Sequence, residues 1–255
     1  RDNDLNRYQG MGVLKAVQNV NEIIAKALTG KDPTKQTEAD QLMIDLDGTS
    51  DKSHLGANAI LSVSQAICEL GAAVTHHPIY EYIFLKYQIT KSFGMPTPTF
   101  NVINGGKHGA GNLDFQEFHI IPATHRDYHE ALRCGEEIYQ VLGQVLEKRG
   151  AIHSVGVEGG YAPNLFTNTD ALEVMLEAIR QTNYQFASDV FLGLDVAAAT
   201  FVKDGTYQIK DRSQPFSRRE FIEYYIDLNN RYHLLELEDP LAENDFEGWA
   251  ILTHE

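Results

Sequence analysis

Cysteine, tryptophan and cationic side chains are all scarce in this chain of 255 residues. There are two cysteines, Cys68 and Cys134, far apart in segments of helical pattern. That excludes a disulfide-stapled scaffold, and both thiols are expected to be reduced. Lys and Arg total 21 against 36 Asp and Glu, a formal net charge of −15. Such a balance excludes the basic footprint that a nucleic-acid partner needs. No run of about 18 apolar residues stands out, so no membrane span is expected. The opening residues Arg1 to Tyr8 are polar and carry no signal-peptide pattern, and the expected location is cytoplasmic. The first residue is Arg and not Met, which leaves room for a preceding segment.

What is present is enough for a packed core: 43% of the residues are hydrophobic, and the length suits one large domain or two ordinary ones. Helical spacing fills residues 10–90. Leu14, Val17, Val20, Ile24 and Leu28 form one stripe that stops at Gly30, and Ile60, Val63, Ile67, Leu70 and Val74 form another after Gly56. Thr37 with Asp40 predicts a capping box, and Ile79 to Tyr87 a further helix.

The pattern changes at Pro96 and Pro98. Short strands are predicted at 99–103 and 115–121, helices at 127–148 and 170–181, and an apolar strand at 190–196. A hairpin is centred on Asp204-Gly205, a helix to Tyr232 is opened by a Ser217–Glu220 capping box, and a last strand covers 234–237. Strands separated by helices argue for a parallel sheet with helices outside. A closed eight-stranded α/β barrel takes roughly 250 residues. The 160 residues from Pro96 to Glu255 hold about four such strands, so about half a barrel is expected.

Carboxylates end several strands. Asp195 sits inside the apolar run 191–196, where an ionised acid is costly unless paired or bound to metal. Glu238 closes the next strand in the same way. Acids at the C-terminal ends of successive parallel strands point into one mouth, where barrels place their sites, and oxygen ligands suit Mg²⁺. Taken singly, each acid is equally a cap or an ion-pair partner. Glu158 lies among Gly156, Gly159 and Gly160, either an ordinary tight turn or a backbone shaped to approach a ligand. Glu117 is a buried acid or merely a face-switching strand residue. His108, in a glycine loop, is a phosphate ligand, a general acid or neither.

Seven segments, GVLKAVQNVNEIIA, KSHLGANAILSVSQA, FNVINGGKH, DFQEFHIIPA, VEGGYAPN, LGLDVAA and LELEDPLAENDFEGW, in this order resemble the enolase family, in a form similar to bacterial members. No Lys-x-Lys pair marks an early strand, as it does in many racemases and cycloisomerases of the broader superfamily. The resemblance implies an α/β fold: a helical remnant of an α+β N-terminal domain over residues 1–94, then the first half of an enolase-type barrel over 95–255 that opens with two antiparallel strands. It implies a lyase that reversibly dehydrates 2-phosphoglycerate to phosphoenolpyruvate in glycolysis, as a homodimer or higher homo-oligomer.

By the same resemblance Asp195 and Glu238 are two ligands of Mg²⁺, and Glu158 and Glu117 are the catalytic carboxylates near the departing hydroxyl. Gln116 contacts substrate and His108 lies near its phosphate. A phosphorylated substrate on so acidic a chain needs local cations, either bound metal or a few placed Lys and Arg. The base lysine and a third metal ligand find no match here. Two residues depart from the family pattern: Val157 stands where an Asp is usual, and Lys107 where a small polar residue is usual. The alternative expectation is a catalytically impaired enolase-like protein with a binding or structural role.

Overall fold

A computed structural model of the chain describes residues 1–88, 92–109 and 112–255. It divides into two compact units, Arg1–Gly94 and Met95–Glu255.

The first unit is helical. Helix α1 (Leu14–Asn19) passes through a π turn (Val20–Ile24) into α2 (Ala25–Leu28), and the chain leaves it at Gly30, whose φ is +80°. Then come α3 (Gln36–Asp47), α4 (Ala57–Val74) and α5 (Ile79–Tyr87). Ile24, Met43, Leu55 and Ala59 form the core, flanked by Val20, Leu28, Ile60, Val63 and Ile67. The capping box expected at Thr37 and Asp40 does not form. The helix starts earlier, at Gln36, without a side-chain cap. Gln36 Nε2 donates to Asp40 Oδ1 at 3.0 Å and to the Ser64 carbonyl of α4 at 3.0 Å, so the carboxylate is already engaged within the helix. By length and composition alone helix α4 is apolar enough to cross a membrane, because its Ile, Leu, Val and Ala residues carry the average across its serines and Glu69. It buries Ala59, Gly71 and Ala72 within the unit.

The second unit is built on a four-stranded sheet of order β1 (Phe100–Asn104), β2 (Glu117–Pro122), β3 (Val190–Asp195), β6 (Leu234–Glu238). The first two strands are antiparallel, as the resemblance implies. β2 also runs antiparallel to β3, and only β3 and β6 are parallel. Between strands lie α6 (Tyr128–Lys148), α7 (Asn168–Arg180) and α8 (Arg218–Tyr232), with α9 (Phe246–His254) after β6. The small hairpin β4 (Val202–Lys203) and β5 (Thr206–Tyr207) turns on Asp204 and Gly205, both at positive φ, as Asp-Gly predicts. The Ser217–Glu220 capping box forms at α8, and a second one, Thr167 with Asp170, opens α7 two residues ahead of the expected start.

Strand periodicity decides which face meets which. Phe118 and Ile120 on β2, and Leu192 and Leu194 on β3, are fully buried in one cluster with Ile138, Leu142, Leu172 and Met175 of the helices. Each such side chain contributes about 1.5–3 kcal/mol by leaving water. The alternate residues, Glu117, His119, Gly193, Asp195, Glu236 and Glu238, must then occupy the opposite face. Hydrophobic burial on the helix side therefore holds a polar surface in fixed register on the other. Among the described residues Cys68 and Cys134 are both free, and burial pushes the Cys134 thiol up to about 11, which keeps it protonated and inert.

Candidate active site

The polar face consists of two rungs. In the upper one, Glu117 is the register partner of Asp195, and Asp195 is the partner of Glu238. Neighbouring strands are about 4.8 Å apart, so three carboxylates stand side by side where β3 and β6 end. In the lower rung His119 is opposite Gly193, and Gly193 is opposite Glu236.

The carboxylates are not equivalent. Asp195 is buried, 8% exposed. Its Oδ2 accepts from Gln116 Nε2 at 2.9 Å, and its Oδ1 accepts from the Ala197 amide at 3.1 Å. Burial, then the charges of Glu117 and Asp239, push its carboxyl up against the pull of those two donors. Glu238 is more open to solvent, and the burial it has, then Asp195 beside it, push its carboxyl up too. Glu117 is turned away from both. Its Oε1 meets His108 Nδ1 at 2.9 Å and its Oε2 meets His119 Nε2 at 3.0 Å. His119 Nδ1 in turn meets Glu236 Oε2 at 2.9 Å. Burial alone would push the His119 imidazole down, but the hydrogen bonds and charges of Glu117 and Glu236 outweigh it and raise it. Among the described residues no three His, Cys, Asp or Glu side chains converge as a metal cage.

Loop geometry explains why His108 reaches Glu117. Gly105 donates to the Gln116 carbonyl at 2.9 Å and Gly106 to the Leu113 carbonyl at 2.9 Å. A Cβ on Gly105 would lie 2.2 Å from the Phe115 carbonyl oxygen, so only glycine lets the turn lie this close. The His108 amide then caps the Gly105 carbonyl at 2.9 Å. Lys107 on the same turn is exposed.

Glu158 is placed differently. The segment around it is stitched to β1, with the Asn104 amide on the Tyr161 carbonyl at 2.7 Å and the Tyr161 amide on the Val102 carbonyl at 2.9 Å. Yet Glu158 itself stands exposed on a turn next to Val157, which is 82% exposed. It lines a groove with Asn101, Leu132, Glu136 and Tyr139. Among the described residues no hydrogen bond or ion pair joins it to Glu117, Asp195 or Glu238. The structure thus brings together His108, Gln116, Glu117, Asp195 and Glu238 and leaves Glu158 outside their network. It adds His119 and Glu236, which the sequence reading passed over. Their signal was period two: a His two residues beyond Glu117 and a Glu two residues before Glu238.

A mixed sheet with helices on one face and acids at its strand ends is the framework of an α/β-barrel enzyme. The family model "Enolase, C-terminal TIM barrel domain" matches residues 92–255, and "Enolase, N-terminal domain" matches residues 1–83. The chain belongs to the enolase family, and its two matched domains make it an enolase-type protein of the lyase kind.

Proposed function

We propose that this chain carries the enolase reaction, the Mg²⁺-dependent reversible dehydration of 2-phosphoglycerate to phosphoenolpyruvate in glycolysis, as part of a cytoplasmic homo-oligomer. The observation that supports this most is the upper rung, with Glu117, Asp195 and Glu238 in register at the strand ends. Two adjacent oxygen donors whose carboxyls are raised by burial and by neighbouring acids want a hard cation, and they fit Mg²⁺, which is usually held by one or two carboxylates with water and substrate supplying the rest. Asp195 and Glu238 would hold it, and when bound it would supply positive charge against the anion that grows as a proton leaves beside a carboxylate.

The other roles belong to this chain's own groups. The Gln116 amide orients Asp195 and borders the substrate. Glu117, gripped through both oxygens, is held ready as an acid–base group near the departing C3 hydroxyl, with His108 on its outer oxygen and towards the phosphate. Glu158, on its glycine turn, is the partner carboxylate that would come to the site with substrate. Two carboxylates in unlike surroundings, one clamped by histidines and one in solvent, suit opposite proton roles.

The test is to incubate the complete protein with 2-phosphoglycerate and Mg²⁺ and follow both phosphorus resonances. Conversion supports the reading, and a folded protein that leaves the substrate untouched removes it. The exposed position of Glu158 favours one second reading, an impaired enolase-like protein, which would bind the substrate without turning it over.

A further inference from the structure

We propose that His119 is a positioning residue of this site, a clamp that reaches from Glu117 on β2 across the bare backbone of Gly193 on β3 to Glu236 on β6. The proposal rests on the dehydration reading above, because Glu117 is the group it positions.

The argument starts from the lower rung. His119 and Glu236 belong to strands that are not neighbours, with β3 between them. Side chains facing the same way two strands apart are separated by roughly twice the 4.8 Å strand spacing, and any residue on the middle strand would ordinarily fill that space. Here the middle residue is glycine. A Cβ built on Gly193 would fall 2.8 Å from Glu236 Oε2 and 3.0 Å from Glu236 Cβ. Its φ is not of the left-handed kind, so the glycine is required by space and not by backbone conformation. The window is used: His119 Nδ1 meets Glu236 Oε2 at 2.9 Å while Nε2 meets Glu117 Oε2 at 3.0 Å. Both ring nitrogens face carboxylate oxygens. Only the doubly protonated ring donates at both, so the arrangement selects imidazolium.

The charge balance agrees. The face holds Glu117, Asp195, Glu236 and Glu238 as acids, with Asp239 beside them and His108 as the other imidazole on Glu117. His119 is 5% exposed. A buried cation among these acids offsets their repulsion, and charge-assisted bonds are stronger than neutral ones. One bond fixes the Glu117 carboxylate plane from below, while His108 holds the other oxygen from above. A carboxylate held at both oxygens has little freedom left to drift from a reacting hydroxyl.

Two readouts on the complete protein test this. Steady-state kinetics on His119→Leu, of similar bulk and no charge, is expected to show kcat lower by about 10- to 100-fold with KM little changed, the usual size for a misplaced catalytic group. Imidazole ¹⁵N NMR is expected to show His119 doubly protonated at neutral pH, and to show its titration moving to lower pH in Glu236→Gln and in Gly193→Ala. An unchanged kcat in a folded His119→Leu would overturn the proposal, and so would a His119 titration that Glu236→Gln leaves in place. Should the wild-type chain fail to convert 2-phosphoglycerate, the dehydration reading falls by that result alone. The imidazole titration then decides whether the clamp exists.

Discussion

Gln116 Nε2 donates to Asp195 Oδ2 across 2.9 Å, and this bond joins the start of β2 to the end of β3 at the rim of the polar face. It sets the Asp195 carboxylate plane while leaving lone pairs on both oxygens for a cation. It also means that Gln116 reaches any substrate with its amide already committed on one side.

Metal and proton should compete at this rim. Asp195 and Glu238 have carboxyls raised above their ordinary values, so the folded state holds those protons longer than the unfolded chain does. Without metal, each therefore costs stability as pH rises from the ordinary carboxylate range upward. Mg²⁺ removes that cost by displacing the protons. The thermal midpoint measured with and without Mg²⁺ should show a metal-induced rise that grows from about pH 4 to about pH 7. A rise of constant size across that range would contradict the pairing.

Gly105→Ala should damage both fold and site. Its Cβ would sit 2.2 Å from a backbone oxygen and 2.7 Å from Leu113 Cβ, neither of which can swing aside. Overpacking of this kind costs about 1–3 kcal/mol. Denaturant unfolding of the second unit reads the loss, and His108 should lose its contact with Glu117.

In the first unit, Asp47 should govern acid stability. It is 3% exposed. Burial alone would push its carboxyl up, but the Thr49 hydroxyl and the Leu55 and Thr49 amides outweigh it and hold it at about 2. A depressed carboxyl stabilises above its unfolded value of 3.8, and the contribution is lost as pH falls towards 2. Asp47→Asn should be less stable than wild type at neutral pH, with a flatter stability curve below about pH 4. Circular dichroism melts across that range would show it, and parallel curves would contradict it.

Glu158→Gln should leave the fold untouched, since an exposed turn side chain contributes little packing. In the complete protein kcat should fall by about 10² to 10⁴, the usual worth of a positioned acid. Equal turnover in both forms would take Glu158 out of the reaction.

Local signals in the sequence carried much of this structure. Ser217 with Glu220, Asp204 with Gly205, and the strand runs around Phe118 and Leu192 each act within a few residues, and each was legible. The α7 start was missed because Thr167 caps a helix whose apolar stripe begins only at Ala171. The lower rung was missed for a different reason. His119 and Glu236 are 117 residues apart, and their meeting depends on an empty position at Gly193 that no local pattern announces. The place of Glu158 was illegible too, because a glycine turn specifies that the chain bends and not where its side chain comes to rest.

The most direct measurement is a Mg²⁺ titration of phosphoenolpyruvate formation from 2-phosphoglycerate by the complete protein, run beside its Asp195→Asn variant. Loss of an outer partner alone costs a metal site about 10- to 100-fold in affinity, so loss of a direct ligand should cost at least as much. The account predicts turnover that vanishes with chelator and a variant that needs far more Mg²⁺ for far less product. Turnover that persists in excess chelator, or an identical Mg²⁺ dependence in the two proteins, would contradict it.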